Sequence, residues 1–233
     1  MFNPLPNPIF RFTRYPLWAF GLLLLLLAGL MPGPGSAAAA AGDKAAPGSG
    51  AALERVLERL RRNAAGTSSL AAEMEQEKHL AIFSQVLRSN GRFYFRRPDC
   101  WRWEIRSPLV SGLAVCNGQG KSWSRKPGQA THFKIEQRPW LAHFTAQITA
   151  WTTANLDFLK KHYQLTLLRE KPARIRLIPK NEKARRLIAA LEITFTADAT
   201  HVETITLREN DGDFTIIRFS HVVINQPLAD DLF

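Results

Sequence analysis

Apolar residues alternate with polar ones along most of the chain after residue 66, and follow a helical period in only a few places. Leu53, Val56, Leu57 and Leu60 fall on one side of a helix over Ala51 to Ala65, with Glu54, Arg55, Glu58, Arg59, Arg61 and Arg62 on the other. Gly66 ends that helix. Ser69 to Arg88 has a helix-favouring composition, yet Leu70, Ala72, Met74 and Gln76 alternate; a strand is expected, because propensity is a weak guide against sheet pairing. Asn90-Gly91 is read as the hairpin that follows it.

The densest pattern lies in Gly91 to Arg125. Phe93 and Phe95 alternate with Arg92, Tyr94 and Arg96, and Trp101, Trp103 and Ile105 alternate with Arg102, Glu104 and Arg106. A period of two sends one set to each face of a strand. Ser107-Pro108 and Asn117-Gly118 supply reversals, so the stretch predicts an antiparallel meander with one face rich in large rings. Lys126-Pro127-Gly128 is a turn and Thr131 to Glu136 a short strand. From Arg138 to Tyr163 the period becomes helical, with Trp140, Phe144, Ile148 and Trp151 on one side, and Asn155 placed to cap a second short helix.

Strands return at Gln164 to Arg169 and Arg174 to Ile178. Lys183 to Ala190 begins helically; Leu191 to Thr196 then pairs with Val202 to Arg208, and Asn210-Asp211-Gly212 leads into Phe214 to Ser220. With no repeat and no boundary after Ala51, this order predicts one mainly β (α+β) domain, a curled antiparallel sheet or half-open β-barrel with helices packed as a lid or plug.

The N-terminus changes where such a domain works. Arg11 and Arg14 precede an apolar block from Leu17 to Met31, and SAAAAAG follows it. Charge, apolar core and small-residue exit are the parts of a secretory signal, and the block is short of the ~20 residues a membrane span needs. Residues 1–41 are therefore read as a cleaved signal peptide, with retention as an anchor the alternative, and residues 42–50 as a flexible lead-in. No cysteine follows the block, which excludes a lipoprotein signal. The protein is expected in the periplasm of a bacterium.

The formal net charge is +11, and setting aside Arg11 and Arg14 leaves +9 for the remainder. That balance suits anionic partners, but no lysine-arginine block long enough for a nucleic-acid arm occurs, so no nucleic acid is expected. Two cysteines exclude a disulfide scaffold and a four-thiolate zinc site. Cys100 and Cys116 lie in neighbouring predicted strands, and after export they either pair or remain two buried thiols. Pairing is the expectation, and a loop of that size stabilises by roughly 3 kcal/mol.

Candidate chemistry is sparse. The six histidines are scattered, with no zinc-ligating spacing. There is no Gly-x-Ser-x-Gly elbow and no phosphate loop. Asp211-Gly212-Asp213 lacks the rest of a twelve-residue calcium loop and reads as a hairpin turn. No enzyme, cofactor or metal is expected. What remains is apolar surface: a concave sheet lined with rings binds long acyl chains by area alone, at about 0.8 kcal/mol per buried methylene. The competing expectation is a fully packed barrel, serving as a non-catalytic protein-interaction domain of the cell envelope.

Phe-x-Phe-x-Arg-Pro, Trp-Arg-Trp-Glu, Ser-Pro and Asn-Gly before Trp123, with the closing ITLRENDGDFTIIRFSHVVINQPLADDLF, resemble the LolA-type lipoprotein carriers. The resemblance covers roughly residues 51–233 and implies a half-barrel domain over that range, with helices in the mouth and a greasy interior for lipoprotein acyl chains. It also implies an inner-membrane donor complex and an outer-membrane acceptor as partners of a carrier expected to be monomeric. The acyl-binding residues expected are Phe93, Phe95, Trp101, Trp103, Ile105, Val115, Trp123, Trp140, Phe144 and Ile148. The family's arginine that ties barrel to lid corresponds to Arg97, so the resemblance implies a switch role there, with hydrogen bonds to the lid helices between Arg138 and Leu159. The chain departs from the family in lacking an aromatic before Gln76 and in carrying both cysteines.

Overall fold

The computed structural model describes residues 49–82, 84–124 and 130–233, without the side chains of Ser49, Pro139 and Trp140. The expected signal peptide, most of the lead-in and the Lys126-Pro127-Gly128 turn lie outside the described residues. Helix α1 (Ser49–Ala65) begins two residues before its expected start. Eleven strands follow: β1 (Ser69–His79), β2 (Val86–Arg96), β3 (Cys100–Ser107), β4 (Ser111–Cys116), β5 (Gln119–Ser124) and β6 (Thr131–Lys134). After α2 (Pro139–Thr152) and α3 (Leu156–His162) come β7 (Tyr163–Glu170), β8 (Ala173–Pro179), a short α4 (Glu182–Arg185), β9 (Ile188–Phe195), β10 (Val202–Glu209) and β11 (Phe214–Ile224).

All strands join one antiparallel sheet in the order β6-β5-β4-β3-β2-β1-β11-β10-β9-β8-β7. Every neighbour is a sequence neighbour except β1 and β11, which meet at a central seam where Leu70 pairs with Ile224 and His79 with Phe214. The two outer edges, β6 and β7, are consecutive in the chain and are bridged by α2 and α3. The lid is thus the connection between the sheet's two rims. The Asn155 side chain accepts from the Phe158 amide at 3.1 Å, which caps α3 and breaks the helical run in two.

One turn expected from the sequence is absent. Asn90 and Gly91 lie inside β2, opposite Glu75 and Met74, and the β1–β2 connection is at residues 80–85. The glycine serves a close approach: a Cβ at Gly91 would collide with the Glu104 carbonyl of β3, where the β2–β3 register shifts between Asn90 and Gly91. Asn117 and Gly118, at φ 50° and 75°, do form the expected tight turn between β4 and β5.

Candidate functional site: an apolar cavity beneath two helices

The inner face of the sheet is set by alternation. On β3, Trp101 and Ile105 are buried and Trp103 half-buried beneath the helices, while Arg102, Glu104 and Arg106 point to the convex side. On β10 and β11, Ile205, Leu207, Ile217 and Phe219 face the same interior. α1 lays Leu60 and Ala64 over this surface, and α2 lays Phe144, Ile148 and Trp151. The layers do not close fully. A cavity of about 130 Å³ remains across the seam, its few polar groups being Thr67, Gln76, Ser111, Thr152, Thr200 and His201. That is close to the roughly 150 Å³ of an apolar cavity that stays dry and takes up benzene.

Five of the residues expected to bind acyl chains line this space: Phe93, Trp103, Ile105, Phe144 and Ile148. Phe93, Trp103 and Phe219 meet edge to face, with centroids 5.8 to 6.3 Å apart. Phe95, Trp101 and Val115 face inward but are packed away from the cavity, the first two with no exposed surface at all. The Trp101 indole donates to Thr145 Oγ1 at 3.2 Å and packs edge-on against Phe144, which fastens α2 to the sheet. Trp123 corrects the expectation outright. It pairs with Gly112 on β4 and so shares the convex face of Glu104, not the inner face of Trp103. A Cβ at Gly112 would strike its ring, and the Arg102 guanidinium lies over that ring, 4.3 Å from its centroid. Trp140 is in the first turn of α2, and its side chain is outside what the structure describes.

Among the described residues, Arg97 makes no hydrogen bond to the helices between Arg138 and Leu159. Its Nε donates to the Thr67 carbonyl at 2.5 Å and its Nη2 to the Ala64 carbonyl at 3.0 Å. Ala64 is in the last turn of α1, where its oxygen also accepts from the Thr67 amide at 3.1 Å, and Thr67 lies just beyond the helix, so the guanidinium fork clasps the C-terminal end of α1. The tether from barrel to helix runs to α1, the other wall of the cavity. Cys100 and Cys116, at the far end of the β3–β4 pair, form a disulfide.

The described residues assemble no catalytic constellation. Glu209, Asp211 and Asp213 gather at the β10–β11 hairpin, but Lys78 inserts its ammonium 2.9 Å from Glu209 and 3.8 Å from Asp213. Glu192 is buried on the convex face beneath Arg174, Arg176 and Arg208. Burial pushes its carboxyl up, but hydrogen bonds from Arg174 and Arg176 and the charge of Arg208 outweigh that and hold it below the ordinary carboxylate range. At the cavity rim, burial pushes the His201 imidazole down against the opposing pull of Asp198 and Glu203.

The family description "Outer membrane lipoprotein carrier protein LolA" matches residues 65–233. The chain belongs to the LolA family. No curated protein sequence matches it. Its fold is similar to that of a LolA superfamily protein from Nitrosomonas europaea, at 10% identity over 77% of this chain and 96% of that one, TM-score 0.41. Lipoprotein LppX of Mycobacterium tuberculosis is similar at 8% identity over 76% and 98%, TM-score 0.43. So is the MucA/MucB complex structure of Pseudomonas aeruginosa, at 12% identity over 76% and 59%, TM-score 0.41. This LolA-family chain thus has the lipoprotein-carrier fold, and the family's carriers are non-catalytic. The family points to the cell envelope, and the Cys100–Cys116 disulfide fits an exported protein.

Sequence reasoning missed half of the cavity wall. Leu191, Ile205, Leu207, Ile217 and Phe219 line it together with Leu60 and Ala64 of α1. The period-two signal in ITLRE and FTIIRF marks these residues as inward, but an aliphatic wall looks in sequence like any buried strand.

Proposed function

We propose that this LolA-family protein is a periplasmic carrier that binds the acyl chains of lipoproteins, or of a related lipid, and ferries them toward the outer membrane. An inner-membrane donor complex loads it and an outer-membrane acceptor unloads it. The observation that carries this reading is the apolar cavity left open between the sheet and helices α1 and α2. A space of about 130 Å³ holds one small ring, so a full acyl chain enters only if the helices move off the sheet. The transfer energy of methylenes then drives uptake, and reclosure of the helices drives release. Arg97 serves this cycle by favouring the closed seat of α1 through Ala64 and Thr67.

The test is organic extraction of the protein isolated from the periplasm, with mass spectrometry of the extract and titration with a fluorescent fatty acid. Lipid in the extract and saturable probe binding are expected. A folded protein with neither overturns the carrier reading in favour of a packed interaction domain. Arg97→Leu is expected to fold and to release probe to acceptor vesicles more slowly than the unmodified protein. An unchanged release rate removes the switch role from Arg97.

A further inference from the structure

Beside the main cavity lies a second space of about 20 Å³. Its walls are apolar throughout, with Leu57 from α1, Leu159 from α3, Leu165 from β7, Ile175 from β8 and Ile193 from β9. The two spaces share four wall residues, Leu60, Trp151, Ala154 and Phe195. Trp151 is the largest of them and stands on the partition.

Its seat differs from that of Trp101. The Trp101 indole is tied to Thr145, whereas the Trp151 Nε1–H is buried with no acceptor among the described residues. A buried unpaired donor opposes the conformation that holds it, so this ring leaves its place without breaking a polar contact. The backbone beside it is also set up to bend. Trp151 is in the last turn of α2, and three residues on Ala154 takes φ 47°, a left-handed conformation that a residue with a Cβ holds at a cost. The α2–α3 junction therefore concentrates strain next to a ring that nothing polar retains.

We propose that Trp151 is a gate between two acyl subsites. Seated, it ends the main cavity and limits the site to the shorter part of a chain. Swung aside, it joins the small chamber beneath α1 and α3 to the main cavity and admits the distal end of a long acyl chain. The inference rests on the reading of the main cavity as an acyl site.

Chain-length preference reads the gate directly. Saturated fatty acids of twelve and eighteen carbons are used to displace a fluorescent fatty acid from the whole mature protein. Trp151→Ala is expected to raise the affinity for the longer acid relative to the shorter by about fifteenfold, the contribution of two further buried methylenes. Trp151→Phe keeps most of the plug and is expected to leave the ratio near that of the unmodified protein. Leu165→Phe, which fills the small chamber from β7, should weaken the longer acid and leave the shorter one unchanged. That variant decides the matter if Trp151→Ala does not fold. Unmodified protein that binds both acids, with the ratio unmoved in the folded variants, overturns the gate and leaves the carrier. Unmodified protein that binds neither acid overturns the carrier reading, and the gate with it.

Discussion

The two wings of the sheet are built from different side chains and do different work. In the wing from β2 to β6 the inner face is aromatic, and toward the Cys100–Cys116 end it is sealed: Phe95, Trp101 and Leu141 of α2 have no exposed surface. In the wing from β7 to β11 the inner face is aliphatic, with Ile175, Leu177, Leu191, Ile193, Ile205 and Leu207 under α1 and the α2–α3 junction. The cavity lies where the wings meet. Trp101 and Trp103 make the contrast within one strand, two residues apart on the same face: one is locked by a hydrogen bond to α2, the other borders open space. Ring content therefore does not locate a binding cavity. Position along the strands does: paired Phe93, Trp103 and Leu113 line the space, whereas Phe95, Trp101 and Val115, two residues nearer the Cys100–Cys116 end, are packed away from it.

The largest test of that contrast is Trp101→Ala. Removing a fully buried ring that also holds α2 should cost about 3–5 kcal/mol, read as a lowered denaturant midpoint. A loss below about 1 kcal/mol would mean that the aromatic wing is as loosely filled as the seam.

Glu192→Gln probes the other wing from its convex side, and should cost about 2 kcal/mol at neutral pH. That is less than breaking a fully buried pair costs, because the three arginines keep contact with water. The sign of the pH effect follows from the lowered pKa: the carboxylate stabilises the fold above its unfolded value, and that contribution fades as pH falls through the folded one. The gap between the two proteins should thus hold from neutrality down to the ordinary glutamate range at about pH 4.3 and narrow progressively below it. A gap that widens in acid would contradict this assignment.

Trp103→Ala should cost least, about 1–2 kcal/mol, because the ring borders space that already exists. The same variant should bind a fluorescent fatty acid more weakly, having lost ring surface that the chain would cover. Severe unfolding would place Trp103 with Trp101 in the packed wing.

Much of this architecture was legible in the sequence, for physical reasons that also explain the failures. Period-two alternation is a backbone property, so the strands around Trp101, Ile175, Ile205 and Ile217 could be read one at a time, and Asn155 marked the break between α2 and α3. Even the helix-prone Ser69 to Arg88 formed a strand up to His79, since pairing on both sides outweighs local preference. Asn90-Gly91 misled because glycine answers two needs, a tight turn and a close approach, and only the neighbouring strand tells which. Trp123 misled because its face depends on register across β4, where Gly112 makes room for it. Arg97 was marked for a tether, but the sequence carries no sign of which helix end would lie above it. The cavity was the least legible, being the space that two wings and two helices fail to fill.

The seam has a consequence for how the molecule comes into being. Within each wing, strands pair with their nearest neighbours in the chain, so either wing assembles from short-range contacts. Only β1 and β11 join distant segments, Leu70 to Ile224, across nearly the whole described chain. Long-range pairing of this kind is the slow part of folding. A chain that folds from its N-terminus onward would therefore hold two separate half-sheets until its last strand arrives, and only that final zippering creates an interior between them.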